Sequence, residues 1–61
     1  MKRFMIQYFD RNGHKIAYRQ TEKGVRNFLS RLTLKAYVVL ELNPTDGTYV
    51  LRLNFDNNGE N

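Results

Sequence analysis

The stretch from Thr21 to Leu32 constrains the fold more than any other, because it alone carries the apolar period of a helix. Val25, Phe28, Leu29 and Leu32 recur at i, i+3, i+4 and i+7, which places them on one stripe of an α-helix. Lys23, Arg26 and Arg31 fall off that stripe. On both sides of it the period drops to two, as in strands with one face turned to a core. Thr21 is suited to N-cap this helix, and Glu22 suits the positive end of its dipole. Gly24 costs such a helix about 0.5–1 kcal/mol relative to Ala, and it points to a close approach between helix and sheet.

The first hairpin runs from about Lys2 to Gln20, around Asp10-Arg11-Asn12-Gly13. A two-residue Asn12-Gly13 turn pairs Arg11 with His14 and mixes the faces, with Ile6 opposite Arg19 and Gln7 opposite Tyr18. A type I turn with Gly13 as a left-handed bulge pairs Asp10 with His14 instead. Tyr8 then opposes Ile16, and Ile6 opposes Tyr18. A one-residue slip turns a strand's whole apolar set to the other side. The preferred register is therefore the one that gathers Phe4, Ile6, Tyr8, Ile16 and Tyr18 on one face.

The second hairpin spans about Lys35 to Phe55. Ala36, Val38, Leu40 and Leu42 alternate on one strand, and Tyr49, Leu51, Leu53 and Phe55 on the other. Between them Pro44 fits an early turn position and Gly47 a positive φ. Pairing Leu42 with Tyr49 sets Leu40 against Leu51 and Val38 against Leu53. The predicted class is α+β with ββαββ order: a four-stranded antiparallel sheet of two hairpins, with one helix packed on one face. One domain covers 1–55, and a polar tail, 56–61, is expected to be disordered. The order of the hairpins in the sheet is open, as is their pairing across two chains.

Sixty-one residues support one thin core and no enclosed substrate cavity. There is no cysteine, so neither a disulfide nor a thiolate metal site can reinforce that core. The N-terminus lacks the apolar run of a signal peptide. The longest apolar run, Ala36 to Leu40, falls far short of the ~20 residues of a membrane helix. A cytoplasmic protein with no membrane partner is the expectation. Ten Lys and Arg against six Asp and Glu give a net charge of +4, which favours anionic partners without specifying one.

No catalytic constellation stands out. His14 is the only histidine and lies in a turn. Asp10 and Asp46 sit at turns, where their side chains serve the backbone. Ser30 has no base near it in sequence, and the four glycines are too isolated to form a phosphate loop. The chain reads as a non-enzyme with no cofactor, no metal and no small-molecule substrate.

The second face of the sheet is the candidate surface. In the preferred register it carries Met5, Phe9, Tyr37, Val39 and Val50 together with Lys15, Arg19 and Arg52. Aromatic rings among basic groups on a sheet can stack bases and hold phosphates, but the same mixture suits a protein interface. The outer helix face, with Lys23, Arg26 and Arg31, forms a secondary basic surface. The leading reading is a small basic accessory protein that binds a protein partner and regulates or inhibits it, with a homodimer as one form it can take. Phe9, Lys15, Arg19, Tyr37 and Arg52 are its contact residues. A nucleic-acid-binding module using the same face is the alternative.

Overall fold

The computed structural model describes residues 2–33 and 36–52. The elements run β1 (Phe4–Asp10), β2 (Gly13–Arg19), α1 (Glu22–Ser30), β3 (Tyr37–Asn43) and β4 (Thr48–Arg52). The four strands form one antiparallel sheet in the order β2-β1-β3-β4, so the two hairpins meet through β1 and β3. The ββαββ expectation holds. Leu53 and Phe55, the Val38–Leu53 pair and the polar tail lie outside the described residues.

The helix forms where its stripe and cap predict. Thr21 is extended (φ −129°, ψ 157°), and its Oγ1 accepts the Gly24 N–H at 3.0 Å. Val25 and Leu29 are buried, while Phe28 and Leu32 pack partly buried against them. At Gly24 a Cβ would meet the sheet only at ordinary contact distance, 3.6 Å from the Arg19 Cβ, and would crowd instead the N-cap Thr21 hydroxyl at 3.2 Å.

The second hairpin keeps its predicted register, with Leu42 opposite Tyr49 and Leu40 opposite Leu51. Its turn is closed by Asn43, whose carbonyl accepts the Gly47 N–H at 2.8 Å and whose side chain accepts the Thr45 N–H at 3.0 Å. Gly47 takes φ 78°, as predicted. Asp46 accepts from the Thr48 hydroxyl at 2.7 Å and from its N–H at 3.1 Å. Those bonds, the hydroxyl's first, hold the Asp46 carboxyl below the usual carboxylate range.

The first hairpin corrects the sequence reading. Asp10 pairs with Gly13, Tyr8 with Lys15, Gln7 with Ile16, Ile6 with Ala17 and Phe4 with Arg19. Neither predicted register is adopted. The chain reverses through Arg11 and Asn12, Asp10 accepts the Asn12 N–H at 2.8 Å, and Gly13 opens β2 at φ 109°. A Cβ at Gly13 would meet nothing within 4 Å, so only its backbone is constrained. Gly13→Val should therefore cost about 1–3 kcal/mol through strain alone. Thermal melts test this, and an unchanged melting temperature would mean that the turn relaxes freely.

This register assigns the faces differently from the sequence reading. Phe4, Ile6 and Val39 turn to the helix and are fully buried with Val25, and Tyr8 and Tyr37 pack on their margin. Ile16, Tyr18, Val38, Leu40, Leu42, Tyr49 and Leu51 face the other side. Tyr8 lies beside the helix, its ring edge-on to Phe28 at 5.0 Å, whereas Leu40 and Leu51, on the strand faces whose alternation suits a core, turn away from the helix.

The physical reason is cover. A helix is about 10 Å across and so spans roughly two strand spacings. It can bury large side chains only beneath its own width. Small Ala17 serves on β2, with Lys15 and Arg19 flanking it. On β4, Val50 lies on the helix side yet stays half exposed, beyond the helix's reach.

Candidate protein interface

The face opposite α1 is apolar and open. It carries Met5, Gln7 and Phe9 from β1, His14, Ile16 and Tyr18 from β2, Val38, Leu40 and Leu42 from β3, and Tyr49 and Leu51 from β4. Phe9 (51%), Ile16 (49%), Leu51 (49%), Val38 (44%) and Tyr18 (41%) are exposed there. None of the described residues on this face is Asp, Glu, Lys or Arg. The solvent face of an antiparallel sheet ordinarily alternates to polar, so an open face that is apolar along all four strands departs from that pattern.

The face has relief. At one end Tyr18 and Tyr49, from opposite edge strands, lean together with ring centroids 6.4 Å apart, and the Tyr49 hydroxyl donates to the Lys2 carbonyl at 2.6 Å. At the other end Phe9 and His14 stand with ring centroids 5.3 Å apart. Together with Gln7, Ala36, Tyr37 and Val38 they border a shallow, mainly apolar depression of about 480 Å³. A side chain from another protein could seat there as an anchor.

The structure does not bring the five predicted contact residues together. Phe9 lies on the open face, and Tyr37 reaches that face only at the border of the depression. Tyr37 packs at the core margin, and Lys15, Arg19 and Arg52 share the helix side of the sheet. The Arg19 guanidinium lies over the Phe28 ring at 4.8 Å from its centroid. Arg52 is engaged with Glu41 and stands 3.8 Å from Glu22. Of the secondary basic face, Lys23 and Arg26 project from exposed turns of α1, and Arg31 caps its C-terminal end. The sequence reading missed Ile16, Tyr18, Val38 and Leu51. Their strict alternation was the available signal, but it reads equally well as a core face.

Glu41 is the hub of the helix-side charges. Arg3 joins it at 3.1 Å, so β3, β4 and the residue before β1 are tied together. The Arg52 hydrogen bond holds the Glu41 carboxyl below the usual carboxylate range; partial burial opposes that and Arg3 adds to it. A carboxylate whose folded pKa is depressed stabilises the fold above its unfolded pKa. That stabilisation is lost as pH falls through the folded pKa. Wild type should therefore melt above Glu41→Gln at neutral pH, with the gap closing as pH drops through and below the carboxylate range. Melts separated by a constant interval at every pH would contradict this.

Among the described residues, no group of His, Asp and Glu is placed to hold a metal, and no helix is long and apolar enough to cross a membrane. Compared with known proteins, the chain matches no family model, no curated protein and no solved structure.

Proposed function

We propose that this chain is a small basic accessory protein, without catalysis of its own, that binds and regulates a protein partner through the open face of its sheet. The same face pairs two copies when no other partner is present. The observation that carries this reading is the exposure of Phe9, Ile16, Val38 and Leu51 on a face with no charged side chain among the described residues. Burying such a face is favourable by roughly 25 cal/mol per Å² of apolar surface. Two copies stacked face to face would keep both helices, and the basic groups beside them, in solvent. Pairing of this kind needs no net charge complementarity, which two chains of +4 cannot offer each other.

Sedimentation equilibrium over a concentration series tests the reading. Wild type should self-associate, and Ile16→Lys should be monomeric at every concentration while keeping its circular dichroism spectrum. A wild-type chain that stays monomeric to millimolar concentration would count against this face as an interface.

A further inference from the structure

The helix side of the molecule holds a second, chemically different surface. A cleft of about 550 Å³ opens beside α1 near the β1–β2 turn and is lined by Arg11, Arg19, Arg31, Tyr8, Phe28 and Asp10, among others. That volume lies within the range of small-ligand sites. Three guanidinium groups from three elements border it: Arg11 from the turn, Arg19 from the end of β2 and Arg31 from the helix C-cap. None of the three has a carboxylate ion-pair partner among the described residues. Asp10 is the one acid on the lining, and its Oδ1 is taken by the Asn12 N–H.

The apolar wall is already organised. The Tyr8 ring stands edge-on to Phe28, and the Arg19 guanidinium lies over the same Phe28 ring. Through Nη1, Arg19 also donates to its neighbour's carbonyl, that of Tyr18, at 2.6 Å. A planar guanidinium held on an aromatic ring is a platform on which a base can stack. Guanidinium groups without carboxylate partners are suited to bidentate contact with phosphate.

We propose that this cleft binds a nucleotide unit, with its base stacked at the Arg19–Phe28 platform and its phosphate held by Arg31 and Arg11. The ligand is either a free nucleotide or one unit of a single strand, since both present the same base-and-phosphate chemistry. The cleft shares Phe9 with the rim of the open sheet face but none of Ile16, Val38 or Leu51, so variants at the arginines and at Val38 separate its failure from that of the protein interface.

The test is fluorescence anisotropy of the full chain with a labelled single-stranded oligothymidylate of about ten nucleotides, across a salt series. Thymidine monophosphate and inorganic phosphate serve as competitors. The oligonucleotide should bind at low salt and weaken as salt rises. Arg19→Ala should weaken it about 5- to 140-fold, the loss expected for one stacked base. Arg11→Ala and Arg31→Ala should each lower the salt slope by about 0.7, the value for one phosphate contact on a single strand. Val38→Ser, on the open face, should leave affinity unchanged. Should Arg19→Ala fail to fold, the Arg11 and Arg31 variants carry the test.

Competition by the monophosphate at its own modest concentration identifies a free nucleotide as the ligand. Binding by the oligonucleotide alone identifies a strand. Either outcome supports the site. Inorganic phosphate competing as well as the monophosphate would overturn it, because the base would then contribute nothing. So would the absence of binding at low salt, or binding that Val38→Ser abolishes and the three arginine variants leave intact.

Discussion

Phe4→Ala should remove a large part of the domain's stability at 25 °C. The Phe4 side chain is fully buried between sheet and helix, in contact with a core whose other buried members are Ile6, Val25, Leu29 and Val39. Replacing a buried Phe by Ala costs about 3–5 kcal/mol, part lost transfer energy and part cavity. A chain of 61 residues has about 3–9 kcal/mol of stability in total, taking 0.05–0.15 kcal/mol per residue. With so few buried side chains, nothing nearby can refill the space. Urea denaturation followed by circular dichroism measures the effect. A midpoint within error of wild type would mean that Phe4 does not sit at the centre of the core.

The second large effect contrasts adjacent residues on β3. Val39 is 1% exposed beneath the helix, whereas Val38 is 44% exposed on the open face. Val39→Asp should unfold the domain. The carboxylate would either remain charged in an apolar site or take up a proton there, and each costs several kcal/mol. Val38→Asp should stay folded, with a loss of about 1 kcal/mol or less from reduced strand propensity. The sequence reading predicts the opposite order, because it places Val38 on the core face and Val39 on the open one. A folded Val39→Asp beside an unfolded Val38→Asp would restore that reading.

The reversal shows where the sequence is legible. The helix was readable because only one stripe on it is apolar: Val25, Phe28, Leu29 and Leu32 have no rival set. The second hairpin's pairing of Leu42 with Tyr49 is the one in which its alternating apolar residues face each other, and Gly47 takes the positive φ its turn position suggested. Which face of β3 meets the helix was not readable, because Tyr37 and Val39 compete with Val38, Leu40 and Leu42 and both sets are apolar. The first hairpin was misread for the same reason. Gathering Ile16 and Tyr18 with Phe4 and Ile6 maximises a sheet's apolar face, but one helix cannot cover four strands of large side chains. The small residue under the helix, Ala17, was the clue that register matching overlooked. Of the predicted contact residues, Phe9 was legible because it alternates with Tyr8 whichever way β2 pairs. Lys15 and Arg19 moved to the helix side with the first hairpin's register, and Arg52 moved there with Val39 when the other face of the second hairpin met the helix.

On the proposed reading, the open sheet face, and not the basic helix side, is the surface through which the chain meets other proteins. Amide and methyl chemical shifts recorded by NMR over a wide concentration range test it most directly. Phe9, Ile16, Val38 and Leu51 should show concentration-dependent shifts, with the signals of Val25, Arg26 and Leu29 unmoved. Shifts confined to the helix, or none at millimolar concentration, would contradict it.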